Sequence, residues 1–579
     1  MSTRARRSEE RRDLNTRKRR RKRRIGNLVL ILLILLVLAG IVLAFVDVGK
    51  VIERIRSIRG GVNYTIEKAQ ELADVYDYDG AIAIVQADER YASDVQLQDM
   101  AQQYQTAKET MINTVDALLT SARERSWEFA YQEAADMLKA SEYYAASDAL
   151  KEKAAEYENI QKSAGNSDRE KLTEARKMAA MYDYDNAIAL MQSITNYETN
   201  PIVQNDITEF TAEKEACVPV NPEEVIHIFY HSLVVDPSKA FNPDDPDYVG
   251  WQQWMTTITE FDRVTQAMYD KGYVLVSIHD LVTKTVSEDG TVTLSSNQIM
   301  LPEGKKAYVM SLDDLSYYHT YDDHGVASKI VLDEEGKPTC EYISSDGTVS
   351  YGDYDTVPRM DTFLEEHPDA CYHGARGIIA LTGYNGILGY RTDGTYSVEH
   401  NTNADVYYAD EDQLEWLAAH PDFDWEKECE QAKEVAEAMK ADGWEFASHT
   451  WGHKAVGDTE YDALVRDTER WMQYVSPLIG ETDTIIFAHG QDISPTGAYD
   501  SSNDKYSYLK RQGFDIYCNV DSISYMAYIT PDYMHQGRLN IDGYRLYHDA
   551  ISDEPLVGFL FDASEVLDPD RPLPVPDLQ

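Results

Sequence analysis

The stretch Lys306-Ala-Tyr-Val-Met-Ser-Leu-Asp-Asp-Leu315 is a short apolar run that ends on two adjacent carboxylates, Asp313 and Asp314. A run of this length and character reads as a buried strand. Upstream, Glu224-Val-Ile-His-Ile-Phe-Tyr-His-Ser232 reads as another strand emerging into a loop, and Phe261 to Ile278 as a helix followed by a strand. Downstream, a helix over Trp425–Met439 leads to the strand Gly443-Trp-Glu-Phe-Ala-Ser448, and a helix over Tyr461–Val475 to Asp483-Thr-Ile-Ile-Phe-Ala-His-Gly490. Leu509-Lys-Arg-Gln-Gly-Phe-Asp515 repeats the helix-Gly-aromatic step, and Gly537-Arg-Leu-Asn-Ile541 offers a last strand. Strand and helix in alternation predict an α/β fold around a parallel sheet.

A second stretch, Ala447-Ser-His-Thr-Trp-Gly-His453, carries two histidines four residues apart. One helical turn would aim both imidazoles the same way. Two histidines and one carboxylate fill three positions of a metal site and leave the rest open to water, which marks a catalytic centre rather than a closed structural one. Each half has a plain alternative: a His pair at this spacing also occurs as a surface or capping arrangement, and Asp-Asp in an acidic chain also occurs as a solvated turn.

Taken together and in this order, Asp313-Asp314 at a strand end and His449-Thr-Trp-Gly-His453 resemble the polysaccharide deacetylase family, the NodB-homology or carbohydrate esterase family 4 domain, over roughly residues 222–550 of a domain expected to span 222–579. The family's first motif reads Thr-Phe-Asp-Asp-Gly. Here Ser311-Leu-Asp-Asp-Leu315 keeps both acids and loses the glycine. The resemblance implies a distorted (β/α)7 barrel with its catalytic residues where strands end. It also implies that Asp314, His449 and His453 hold a divalent metal, by preference zinc, while Asp313 serves as general base. The family's third motif carries a proline that is absent here. His489 takes its slot, and His489-Gly490 is the expected substrate-side element, its backbone N–H facing the oxyanion. For the general acid, Tyr230-His231 matches the pair that opens the barrel in poly-N-acetylglucosamine deacetylases, so His231 is the first choice. His548, in Gly543-Tyr-Arg-Leu-Tyr-His548, stands off the spacing of the family's closing motif and is the second, with a role on the substrate side. An insertion fills about 320–420. It comprises a hairpin from Ser328-Lys-Ile-Val-Leu332 to Thr339-Cys-Glu-Tyr-Ile343 and the Gly- and aromatic-rich run Gly374–Arg391. That run resembles a segment of a Gram-positive, Firmicutes-type branch of these enzymes.

Composition sets the surroundings. Residues 1–24 hold thirteen Lys or Arg against three acids, which leaves 41 basic and 98 acidic side chains on the remaining residues. A body this acidic argues against nucleic acid as a partner. Leu28 to Val46 is nineteen residues without a charge, long enough to cross a bilayer. Arg17-Lys-Arg-Arg-Arg-Lys-Arg-Arg24 lies directly before it. The positive-inside rule then gives a basic cytoplasmic tail (1–27), a transmembrane helix (28–46), a juxtamembrane connector (47–63) and extracellular domains beyond, on a single-pass cell-membrane protein. Five scattered cysteines with no Cys-x-x-Cys pair form neither a disulfide framework nor a thiolate zinc site.

Residues 64–216 read helical, rich in Ala, Glu, Lys and Gln. Tyr76-Asp-Tyr-Asp-Gly-Ala-Ile-Ala-Ile84 returns 106 residues later as Tyr182-Asp-Tyr-Asp-Asn-Ala-Ile-Ala-Leu190, with a degenerate third copy at Trp127–Met137. Helix, turn, helix with aromatic and Ala packing positions resembles a tetratricopeptide-like hairpin, serving as a stalk or as a concave surface for a protein partner. Cys217-Val-Pro-Val-Asn-Pro222 reads as a linker into the barrel.

Three functions fit. The first is a metal-dependent hydrolase removing N-acetyl groups from an N-acetylglucosamine-containing cell-wall or extracellular polysaccharide. The second is a catalytically silent scaffold binding glycan or protein on a helical stalk. The third is an esterase that removes O-acetyl groups with the same site.

Overall fold

The computed structural model describes residues 48–52, 55, 60–164, 166–397, 411–494, 498–520 and 527–578. The expected basic tail and transmembrane helix, and part of the insertion, lie outside the described residues. Among those that are described, no helix is long and apolar enough to cross a membrane. The chain divides into two compact units, residues 1–169 and 170–579.

The helical region has a finer period than the sequence copies suggest. Nine-residue helices begin at Tyr78, Tyr131 and Tyr184, and longer ones at Val95, Asp148 and Pro201, a recurrence of 53 residues. Each nine-residue helix follows an aromatic residue in the left-handed region: Tyr76 (φ 65°), Phe129 (φ 60°) and Tyr182 (φ 67°). Each longer helix is capped by a side-chain oxygen, from Asp94, Ser147 or Asn200, which satisfies amide N–H groups that the first turn leaves unpaired. The repeat therefore recurs every 53 residues, with the 33-residue helix Val95–Trp127 running from the first copy into the second, where a tetratricopeptide unit has two helices in 34. The degenerate copy at Trp127–Met137 is its middle member. Small residues make close packing possible: Ala69, Ala81, Ala134, Ala135 and Ala154 are fully buried.

In the second unit the third repeat lies against the barrel. Tyr182 donates its hydroxyl to the Asp369 carbonyl at 2.7 Å, and the His373 N–H donates to the Met181 carbonyl at 2.8 Å. The expected linker is ordered structure: Cys217–Val220 is a strand antiparallel to Ile299–Pro302.

Seven parallel strands close a barrel in sequence order: β1 (Ile226–Tyr230), β2 (Lys306–Asp313), β3 (Ile378–Leu381), β4 (Glu445–Ser448), β5 (Thr484–Ile486), β6 (Ile516–Val520) and β7 (Met534–Asn540). Leu539 of β7 pairs with Ile228 of β1, and Ile378 of β3 with Ser311 of β2, so the ring has no free edge. Helices such as Trp425–Ala441 and Tyr461–Tyr474 bury Ala432, Val435, Leu464 and Trp471 against its outside. One expected strand is not a ring member. Tyr273–Leu275 pairs with Lys306–Tyr308 at the start of β2, below the residues of β2 that pair with β3, and on its other side makes a single bridge from Leu275 to Cys371. The expected insertion is interrupted, because Ile378–Leu381 within it is the ring strand β3; the part before β3 holds the hairpin and the short antiparallel strand after it, Val349–Gly352. None of the five cysteines is disulfide-bonded.

Candidate metal centre

The site is built on the ends of β2, β4 and β5. Asp313 is the last residue of β2, still paired with Ala380, and Asp314 is the first to leave it, with φ 57°. His449 follows β4 directly. The segment after it is not the helical turn expected from the spacing of the histidines. Thr450 (φ 64°) and His453 (φ 48°) both take left-handed backbone, and Asp467 holds the loop by accepting the N–H groups of Trp451 at 2.7 Å and Gly452 at 2.9 Å. Non-glycine residues in this region cost of order 1–3 kcal/mol each and persist where the surroundings over-determine them. Three of them in one site, with His489 (φ 56°) as a fourth, mark a place where backbone comfort gives way to side-chain placement.

Donor atoms of Asp314, His449 and His453 all lie within 4.8 Å of one another. His453 Nε2 is 3.3 Å from Asp314 Oδ2. His449 donates from Nδ1 to the Ile486 carbonyl at 2.8 Å, which leaves its Nε2 as a lone pair. Burial, with His453 and Arg538 nearby, holds the His449 imidazole below its ordinary pKa in spite of the two carboxylates, so it is neutral. Burial opposes ionisation of Asp314, but the His453 imidazole outweighs it and, with the hydrogen bond from Tyr318, brings its pKa below the ordinary value. Tyr318 donates its hydroxyl to Asp314 Oδ1 at 2.8 Å and fixes the carboxylate plane. Two neutral-capable imidazoles, one ionised carboxylate and a second shell that orients them fit a divalent cation such as zinc with positions left open. The His453 side chain is 34% exposed while that of His449 is 2% exposed, so solvent reaches the site from the His453 side.

Asp313 is held differently. Arg538, a fully buried residue in the middle of β7, meets it with two parallel hydrogen bonds, Nη1 to Oδ1 at 2.7 Å and Nη2 to Oδ2 at 2.9 Å. Burial raises the Asp313 pKa, but the Arg538 guanidinium overcomes it and holds the group well below the usual carboxylate range. Sequence reasoning missed Arg538; its signal was a lone cation in an otherwise buried strand, where a charge is rarely left without a partner. Arg538 is itself braced. Its Nη1 also donates to Ser311 Oγ at 3.0 Å, Ser311 lies 2.9 Å from His227 Nε2, and His227 Nδ1 lies 3.0 Å from Gln536 Oε1. Gln536 Nε2 donates to the Val225 carbonyl, so its Oε1 is an acceptor and His227 carries its proton on Nδ1. Burial pushes the His227 pKa down to about 3, and the ring stays neutral.

The remaining candidates divide. His231 is close enough to favour the ionised forms of both Asp313 and Asp314, and its Nδ1 is buried with no hydrogen-bond partner. It belongs to the site. The His489 ring packs, tilted by 57°, with its centroid 4.2 Å from that of His453, and burial lowers its pKa. Gly490 does not offer the expected free N–H: that group donates to the Phe487 carbonyl at 3.1 Å. Its φ of 66° and the Val520 Cβ, 2.4 Å from where a Cβ would stand, make it a steric requirement of the turn. His548 lies on the helix Gly543–Ala550 beside Tyr544 and Tyr547, with Nε2 3.5 Å from Asp577 Oδ1.

No protein-family model matches the chain, and no curated protein matches it. Among solved structures, the Streptococcus pyogenes deacetylase PplD in complex with acetate is similar over 56% of this chain and 94% of its own, at 14% identity and a TM-score of 0.29. At that TM-score the likeness carries no argument on its own, and the functional reading rests on the residues of this chain.

Proposed function

We propose that the chain is a metal-dependent hydrolase that removes N-acetyl groups from an N-acetylglucosamine-containing cell-wall or extracellular polysaccharide. The observation that carries this reading is the pairing, at one end of a closed parallel barrel, of an Asp314–His449–His453 donor set with an ionised Asp313 pinned by Arg538. Deacetylation is amide hydrolysis, which requires an activated water, stabilisation of an oxyanion and a proton for the departing amine. A divalent cation held by Asp314, His449 and His453 supplies Lewis acidity and lowers the pKa of a water it binds.

The chain's own groups do the rest. Asp313 takes the proton of the attacking water. Its pairing with Arg538 makes it a weak base and fixes the orientation of its carboxylate. His231, with an unengaged Nδ1, is the candidate to protonate the amine. In this reading the N-terminal segment anchors the protein in the cell membrane with its domains outside, and the helical repeats space the enzyme from the bilayer or take a protein partner.

The test is acetate release from N-acetylglucosamine oligomers and from peptidoglycan by the full chain supplied with zinc, beside Asp313→Asn and His449→Ala. Release that both substitutions abolish is the expected result. No release from any acetylated glycan by a zinc-loaded wild type would sink the reading and favour the scaffold.

A further inference from the structure

Beyond β3 the chain reaches Arg391, whose position is hard to explain by folding alone. The residue is 5% exposed, and its Nε and Nη1 are buried with no hydrogen-bond partner. It makes no salt bridge among the described residues. Its nearest ring contact is Trp416, 5.8 Å from the guanidinium carbon to the ring centroid. Buried guanidinium groups are ordinarily satisfied, because an uncompensated one is strongly destabilising. Burial indeed lowers the Arg391 pKa.

Arg391 lines a cavity of about 530 Å³, a volume typical of small-molecule sites. The wall opposes three kinds of surface. Trp416 and Phe423 present aromatic rings whose centroids are 5.2 Å apart. Asp322, Glu341, Asp422 and Glu428 supply carboxylates, of which Glu428 accepts the backbone N–H of Arg391 at 3.0 Å, and Lys329 is a second cation. A simple anion would satisfy Arg391 and be repelled by the acids. An apolar molecule would cover the rings and leave the guanidinium unpaired. A pyranose answers all three, with hydroxyl oxygens to accept from Arg391, O–H groups to donate to the carboxylates, and a C–H face to pack against the aromatic wall, in which His420 stacks on Trp416 at 4.0 Å beside Phe423.

We infer that this cavity is a saccharide subsite that takes one pyranose unit of a glycan, separate from the Asp314–His449–His453 centre. The two share no residue, yet one short segment joins them. Tyr318 bonds Asp314, packs edge-on to Tyr321 at 5.3 Å, and Asp322 follows in the cavity wall. The subsite therefore lies on the same end of the barrel as the metal centre, in the position of a grip on the polymer rather than on the reacting acetyl group. The inference makes no claim about hydrolysis and stands if the reaction proposed above fails.

Titration calorimetry of the full chain with the N-acetylglucosamine tetramer, compared with Trp416→Ala and Arg391→Met, tests it. Both substitutions should weaken tetramer binding about tenfold while zinc affinity, which reports the other site, stays at the wild-type value. Should Arg391→Met fail to fold, Trp416→Ala, at a half-buried position, decides alone. Wild-type affinity in the folded variants overturns the subsite, as does displacement of the sugar by millimolar inorganic phosphate, which would identify a plain anion site. Tetramer binding that depends on Trp416 in a chain that releases no acetate would retain the subsite and remove the deacetylase.

Discussion

The two ends of the barrel each carry a cluster of histidine and carboxylates, and they differ in what the imidazole nitrogens do. At the end where the strands begin, His279 Nδ1 is 2.7 Å from Glu445 and Nε2 is 2.8 Å from Asp483. Lys284 joins Asp483 and Asp515 at 2.7 and 2.6 Å. Both nitrogens are engaged by anions, so His279 is a cation and the cluster is an internal salt that ties β4, β5 and β6 together. At the end where the strands finish, His449 has one nitrogen on a backbone carbonyl and the other free, and is neutral. The same residue types therefore give a fastener at one end and a ligand set at the other. The backbone marks the difference too, since left-handed non-glycine residues gather at Asp314, Thr450, His453 and His489.

Removing a ligand should have the largest effect. His449→Ala and Asp314→Ala are each expected to lose zinc during gel filtration, seen by metal analysis, and to lower acetate release at least about 10³-fold. Zinc retained at full stoichiometry in both would place the ion elsewhere and erase the contrast between the ends. Arg538→Met comes next. It leaves the Asp313 carboxylate buried and unpaired, which costs about 3–5 kcal/mol of stability in denaturant unfolding. A carboxylate freed from its fork should also lower acetate release by about 10²-fold. Normal activity with the stability loss would mean that Arg538 serves the fold alone. Tyr318→Phe removes one hydrogen bond to Asp314 and should weaken zinc by about tenfold, the usual scale for an outer-shell partner, with an unfolding midpoint near that of the wild type.

Much of this contrast was legible in the residues themselves, and the reasons are physical. A strand such as Ile226–Tyr230 is buried along its whole length, so it stands out as a continuous apolar run, whereas Ile378–Leu381, equally buried, is only four residues long and was hidden in the Gly-rich run assigned to the insertion. Asp313, Asp314, His449 and His453 stand just past the ends of such runs, and it was their occurrence together and in order, rather than either pair alone, that singled them out. Arg538 was not, because its partner lies 225 residues away and no local spacing encodes the pair. The turn at Thr450–His453 was misread as helical because a spacing of four fits a helix as well as a loop pinned by a distant Asp467. Tyr273–Leu275 looked like a ring strand because its apolar run is the same; only pairing tells a ring member from a strand left at the edge. The 53-residue repeat stayed hidden for a different reason. Its middle copy keeps the helix starts and the left-handed aromatic but substitutes Phe129 and Ala130 for the Tyr-Asp of the other two.

The smallest expected effect belongs to the fastener, and its pH dependence separates the two ends. Burial lowers the His279 pKa, but the hydrogen bonds to Asp483 and Glu445 outweigh it and the group is pushed up to about 10. In the unfolded chain it titrates near 6.5. A folded pKa above the unfolded one means that the native state keeps a proton the unfolded state has released, so stability is full below about pH 6.5 and falls as pH rises toward 10. Asp280, beside the cluster and raised by burial to about 6, has finished titrating by pH 7 and leaves the upper window clear. Because 41% of the His279 side chain is exposed, screening reduces the contribution to about 1 kcal/mol. Between pH 7 and 10 the wild type should therefore lose about 2 °C more in Tm than His279→Gln, whose side chain does not titrate. Zinc affinity at pH 7 should be the same in both. Equal slopes in the two proteins would show that His279 is neutral in the folded state, and the charged fastener would then reduce to Lys284 with Asp483 and Asp515.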